Sequence, residues 1–174
     1  IARLNEIGGK RLSDCTPEEA RFGDPKYLQK LGPGPEMGRA DLIAIPGPAG
    51  SIPTRVLVPQ QGARGPLVFY HGGGWVIGTL DEYDSLCRKI AERTSCAVAM
   101  VDYRLAPEHR YPAAVDDCYA ATEWLAARGE EIARPGAPLM IGYSDFTVFN
   151  LAYLARGGVS FAGPCAIEFG APEP

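Results

Sequence analysis

The chain has 174 residues, 46% of them hydrophobic and 22% charged, with 17 lysines and arginines against 21 aspartates and glutamates. That length and apolar content suit one domain with a sizeable core and exclude a disordered chain. The net charge of −4, with no block of lysine or arginine, gives no electrostatic basis for nucleic acid or an anionic membrane as partner, and no apolar run reaches a membrane span. A small neutral molecule is the expected partner.

The first residues, IARLNEIGG, read as helical and lack the apolar core of a secretory signal. TPEEA at 16–20 then places Thr16 as N-cap, Pro17 at the first helical position and Glu19 as the capping-box partner. GPGPEMG at 32–38 breaks the pattern, so residues 1–39 are expected as a helical cap segment and 40–174 as the main body. Leu42–Ile45 and Thr54–Val58 are apolar and β-branched runs on either side of PGPAGSIP, which predicts two adjacent antiparallel strands.

From there strands and helices alternate. Pro66–Tyr70 and Ala97–Val101 are continuous apolar runs of strand length. Between them, Asp81–Thr94 carries Tyr83, Leu86, Cys87, Ile90 and Ala91 at helical spacing. Pro112–Ala127 repeats this with Val115, Cys118, Tyr119, Thr122 and Leu125 along one side, followed by a short strand at Pro138–Gly142. Asp145–Arg156 reads as a helix closed by Gly157 and Gly158, and Cys165–Phe169 as a last strand. Such alternation predicts an α/β fold, a mostly parallel sheet with helices on both faces and a ligand site at the carboxyl ends of its strands.

The five cysteines, Cys15, Cys87, Cys96, Cys118 and Cys165, include no CxxC pair. They are expected as reduced thiols of a cytoplasmic protein, with no metal site.

Two sequences stand at those strand ends. HGGGWVIG, His71–Gly78, follows the strand at 66–70, and its three glycines leave a loop without β-carbons whose N–H groups can converge on a negative oxygen. The plainer reading is a tight strand-to-helix turn. Ile141-Gly142-Tyr143-Ser144 leaves the next-but-one strand for a helix, which is the local pattern of a nucleophile elbow; the plainer reading of Ser144 is an N-cap. The glycine run lacks GxGxxG spacing, and no suitably placed acidic residue marks a ribose site, which sets a dinucleotide fold aside.

HGGGWVIGTLDEYD, VDYRLAPEHRYPAAVDDCYAATEWL at 101–125 and the strand-to-serine step at 139–144 together resemble the α/β-hydrolase esterases of the bacterial hormone-sensitive lipase family. The resemblance implies an α/β-hydrolase core preceded by a cap segment. Ser144 is then the nucleophile of an ester hydrolase that works through an acyl-enzyme, and the N–H groups of Gly73, Gly74 and Asp145 form the oxyanion hole. It makes His71 a structural histidine and not the base, and Tyr103, Arg104, Pro107 and Glu108 a scaffold near the site. No cofactor or metal enters this chemistry. Trp75 and Tyr83 are candidate pocket walls or core residues.

The chain also departs from that family. Where the family has GDSAGG it has GYSDFT, which puts Phe146 two positions after the nucleophile, where a small residue is expected, and Asp145 at the helix start. The only histidines are His71 and His109, both before Ser144, so the histidine and aspartate that follow the serine in the family's triad have no match. The expectation is a core truncated after the nucleophile helix, its C-terminal strands missing, with His109 as the remaining candidate base. Its last strand would be an exposed edge that favours homo-oligomers. The alternatives are a non-catalytic small-molecule binding protein and an inactive oligomeric fragment of an esterase.

Overall fold

The computed structural model describes residues 6, 7, 10–21, 32–129, 132, 139–142 and 160–162. A short antiparallel pair, β1 (Glu6–Ile7) with β2 (Lys10–Arg11), leads through a 3-10 turn at Leu12–Asp14 into helix α1 (Pro17–Arg21). The helical expectation for the opening residues is corrected there. Two consecutive glycines, Gly8 and Gly9, cost a helix about 1 kcal/mol each relative to alanine, which leaves the strand pair as the competing arrangement. The capping box of α1 forms as its sequence predicts: Thr16 N–H donates to Glu19 Oε2 at 3.0 Å, and Glu19 N–H to Thr16 Oγ1 at 3.2 Å.

Strands β3 (Met37–Gly47) and β4 (Gly50–Pro59) form the expected antiparallel hairpin, longer at both ends than the apolar runs that mark it. The expected boundary at 39 falls inside β3. This outer strand is mostly exposed, so its first turn-like residues carry no apolar signal; Arg39 and Asp41 instead pair on its open face at 2.7 Å. Then follow β5 (Pro66–Tyr70), helix α2 (Leu80–Thr94), β6 (Ala97–Val101), helix α3 (Ala113–Arg128), β7 (Leu139–Gly142) and β8 (Ser160–Ala162).

The six-stranded sheet has the order β3-β4-β6-β5-β7-β8. Its β6-β5-β7-β8 part is parallel, and β3 and β4 join antiparallel, so the sheet is mixed. All residues of β5 and β6 are buried, which is why both read as unbroken apolar runs. Alternate side chains serve opposite faces. Val56, Val68, Tyr70, Ala99 and Val101 pack with Cys118, Ala121 and Leu125 of α3, while Leu57, Leu67, Phe69, Val98 and Met100 pack with Leu80, Cys87 and Ala91 of α2.

One detail of α3 differs from its sequence pattern. Its buried positions are Ala114, Asp117, Cys118, Ala121, Thr122 and Leu125, whereas Tyr119, expected on the inner side, is 43% exposed. Small alanines let the helix approach the sheet, and a bonded carboxylate at Asp117 turns inward in place of the bulky ring. Of the cysteines expected to be reduced, Cys87 and Cys118 are buried free thiols and Cys15 and Cys96 are half-buried ones. The strand expected at Cys165–Phe169 lies outside the described residues.

The order of strands turns around at β5. The connection through α2 runs from β5 to β6 on one side, and that through α3 returns from β6 past β5 to β7 on the other. Open α/β sheets form ligand crevices beyond the carboxyl ends of strands at such a reversal. The register keeps those ends level, with Phe69 opposite both Met100 and Ile141, and Tyr70 opposite Gly142. The loop after Tyr70, the loop after Val101 and the end of β7 at Gly142 therefore lie side by side.

Candidate active site

The loop after β5 has a backbone that few residues other than glycine can follow. Gly73 has φ +139°, and a β-carbon on it would run into the carbonyl of Ile77. Gly74 has φ +61°, and Trp75 follows with φ 60°, a left-handed conformation that costs a non-glycine residue roughly 1–2 kcal/mol. The carbonyl of Gly73 accepts the N–H groups of Val76 at 3.2 Å and Ile77 at 3.0 Å, which closes the turn. No acceptor among the described residues takes the N–H groups of Gly73 or Gly74. A loop whose donors are not taken up by their neighbours is able to offer them to a bound oxyanion.

His71 holds the base of this loop. It is 2% exposed, stacked on Tyr103 at 4.4 Å between ring centroids and on Tyr83 at 5.6 Å. The Tyr103 hydroxyl donates to the His71 carbonyl at 2.7 Å. His71 Nδ1 lies 2.9 Å from the carbonyl of Gly72, which can only accept, so that nitrogen carries the proton. Gly78, with φ +110°, passes so close that a β-carbon would strike His71 Nδ1. These contacts make His71 a brace between loop and sheet. Tyr83, open in the sequence between pocket wall and core, stacks on His71 and tilts against Phe69. Trp75 is half-buried and packs on the α3 side of the core.

The loop after β6 is fastened to α3 by Arg104 and Asp117. Asp117, 2% exposed, accepts from the Arg104 backbone N–H at 3.0 Å, from Nε at 2.8 Å and from Nη2 at 2.7 Å. The fork-to-carboxylate geometry raises the Arg104 pKa further and fixes where the loop leaves the sheet. Ala106 N–H reaches across to the carbonyl of Trp75 at 2.8 Å, so the two loops are joined directly.

A third element meets them. Arg21, the last residue of α1, donates to the Val76 carbonyl at 2.7 Å, to the Ala106 carbonyl at 2.7 Å, and through both terminal nitrogens to Glu108 at 2.8 and 2.7 Å. The guanidinium hydrogen bonds hold the Glu108 carboxyl down at about 2.

Of the residues singled out in the sequence, His71, Gly73, Gly74, Tyr103, Arg104 and Glu108 thus converge on two joined loops at the level strand ends. Ser144 and Asp145 lie outside the described residues, although β7 delivers the chain at Gly142 beside Tyr70. His109 is exposed, its N–H bonded to the Leu105 carbonyl at 2.9 Å. Sequence reasoning missed Arg21, Asp117 and Gly78. For Asp117 there was a signal, a carboxylate between Ala114, Cys118 and Ala121 on an otherwise apolar face. For Arg21 there was none, because its partners lie 55 to 87 residues away.

Residues 67–145 match a family model described as alpha/beta hydrolase fold. The chain is 50% identical over 134 residues to the esterase LipI of Mycobacterium tuberculosis, an alignment covering 75% of this chain and 42% of that protein. It is 53% identical over 95 residues to the carboxylic ester hydrolase LipN of the same organism, covering 53% of this chain and 25% of that one. Among solved structures, an esterase from Pyrobaculum calidifontis aligns with a TM-score of 0.71 at 34% identity, over 83% of this chain and 50% of that chain. The chain therefore spans about a quarter to two fifths of the length of these curated relatives.

Proposed function

We propose, from the premise that the chain belongs to the hormone-sensitive lipase family of α/β-hydrolase-fold proteins, that it carries the oxyanion and nucleophile part of a serine carboxylic ester hydrolase. The observation that carries this reading is the pair of Gly73 and Gly74 amides, which have no acceptor among the described residues and stand on a braced loop beside the strand that leads to Ser144. In this reading Ser144 attacks the ester carbonyl. The oxygen that gains charge is met by the N–H groups of Gly73, Gly74 and Asp145, each such donor being worth about a hundredfold or more in rate. Collapse of the tetrahedral intermediate expels the alcohol and leaves an acyl-serine, which water hydrolyses. A base must take the serine proton; this chain offers His109 as candidate, and the family's histidine and aspartate have no match within it.

The substrate class is a small ester. Two further parts of the reading are a cytoplasmic setting, which suits the free buried thiols of Cys87 and Cys118, and self-association along an exposed edge of the sheet. Sedimentation at micromolar concentration checks the second, and a monomer there would remove it. Among the described residues no helix is long and apolar enough to cross a membrane.

Hydrolysis of a short-chain nitrophenyl ester by the purified chain, beside Ser144→Ala, tests the function. Turnover lost only in the variant supports the proposal. Equal background rates in both would sink catalysis by this chain.

A further inference from the structure

We propose that Arg21, far from the strand ends in sequence, is a positioning residue for the oxyanion loop. It sets the Gly73 and Gly74 amides through the carbonyls of Val76 and Ala106. The inference rests on the oxyanion reading of those amides.

The bonds form a closed ring. Arg21 Nε donates to the Val76 carbonyl at 2.7 Å, Trp75, one residue back, accepts from Ala106 N–H at 2.8 Å, and the Ala106 carbonyl returns to Arg21 Nη2 at 2.7 Å. Val76 N–H in turn binds the Gly73 carbonyl at 3.2 Å. Ile77 N–H, on the same peptide as the Val76 carbonyl, binds the Gly73 carbonyl at 3.0 Å, so moving the peptide that Arg21 holds turns the Gly73–Gly74 peptide that points one of the two donors. The ring also encloses Trp75, whose left-handed backbone persists only where its surroundings impose it.

Arginine suits this role for a geometric reason. Its planar fork carries donors in fixed directions, enough to reach two carbonyls and a carboxylate at once, whereas lysine has one flexible centre. Glu108 accepts two further bonds, from Nη1 at 2.8 Å and Nη2 at 2.7 Å, at the outer edge of the fork. The side chain sets out from a fixed base, since α1 is closed by its capping box and tied to β2 by Lys10 and Glu19 at 2.6 Å. The N-terminal segment thus acts on the loop through hydrogen bonds to backbone, without touching substrate.

The test uses the full chain, labelled with nitrogen-15, as wild type, Arg21→Ala, Arg21→Lys and Glu108→Gln. Amide resonances of Gly73 and Gly74 are read beside kcat and KM on a nitrophenyl acetate. Both Arg21 variants are expected to move the two glycine resonances and to lower kcat by about a hundredfold with KM little changed, as for a small misplacement of catalytic donors. Lysine is not expected to rescue. Glu108→Gln leaves both carbonyl bonds in place and is expected to leave the glycine resonances where they are.

Arg21→Lys retains the positive charge beside Glu108, so it supplies the reading if Arg21→Ala does not fold. Unmoved Gly73 and Gly74 resonances in either folded Arg21 variant, even with a lowered melting temperature, would overturn the proposal. So would full rescue by lysine, or a Glu108→Gln shift as large as that of Arg21→Ala, which would assign the effect to the ion pair alone. If wild type turns over no faster than Ser144→Ala, the esterase reading fails, while the glycine resonances still decide the role of Arg21.

Discussion

The two faces of the sheet are covered by helices of similar length, yet they are fastened differently. Against α2 the interior is mostly apolar, with Leu57, Leu67, Phe69, Val98 and Met100 on Leu80, Cys87 and Ala91 and with Ser85 as a buried polar residue, and the charged groups stand at the rim. There Arg55 reaches Asp81 at 2.7 Å and Asp84 at 3.0 Å, and Arg88 also pairs with Asp84. Asp81 sits in the first turn of α2, where the helix dipole favours it. Against α3 polar groups are placed inside. Tyr70 OH donates to the Cys118 carbonyl at 2.8 Å and lies 2.6 Å from Thr122 Oγ1, and Asp117 is sealed by Arg104. Burial pushes the Cys87 and Cys118 thiols well up on both sides, which keeps them as packing groups. The contrast teaches that both sides supply cohesion, while the α3 side adds buried polar bonds that end at Tyr70 and Arg104, where the two site loops begin.

The largest break in that contrast is Asp117→Ala. It leaves the Arg104 fork without its carboxylate, and the expected loss is about 3 kcal/mol in urea unfolding, with the loop after β6 released from α3. Tyr70→Phe removes only a hydroxyl, and Thr122 still donates to the Cys118 carbonyl at 2.8 Å, so about 1 kcal/mol is expected. Combining it with Thr122→Val tests whether the pair acts as a unit; a double variant as costly as the sum of the singles would argue against coupling. On the other face, Arg55→Ala is expected to cost no more than about 1 kcal/mol, and that cost should shrink with added salt, because Asp81 is 78% exposed. A salt-independent loss as large as that of Asp117→Ala would erase the distinction between the faces.

The smallest expected effect belongs to the joint between the loops. The Glu108 carboxyl sits at about 2, below its ordinary 4.5, chiefly through its hydrogen bonds from Arg21. The folded state therefore binds that proton less readily than the unfolded chain. Its stabilisation is present in full above the ordinary value and is lost as pH falls from there towards about 2. Melting temperatures across that window should fall less steeply in Glu108→Gln than in wild type.

What could be read in the sequence was local. The Thr16–Glu19 box, the unbroken strands at 66–70 and 97–101 and the glycine loop each declare themselves within a few residues, because caps, burial on two faces and left-handed backbone leave short-range marks. The apolar run at Leu42–Ile45 marks only part of β3, because an outer strand with Arg39 and Asp41 on its open face has no apolar pattern to reveal the rest. Helical spacing places Tyr119 inside and is silent on Asp117, because it counts hydrophobicity and has no way to know that Arg104 awaits the carboxylate. Arg21 was invisible for the same reason at longer range. The site's scaffold was legible from its family resemblance, while the bonds that aim it had to be seen in three dimensions.

The alternation of Phe69 and Tyr70 between the two faces also limits how this region is able to vary. One residue inserted into Pro66–Tyr70 would swap the inhabitants of the two sides, sending a phenol into an aliphatic layer and a phenyl ring onto a carbonyl and a threonine. The same slip would start the glycine loop from the opposite side of the sheet. Length changes are consequently admissible after Gly78 or before Pro66, and barred between them: the segment behaves as a ruler with no spare graduation.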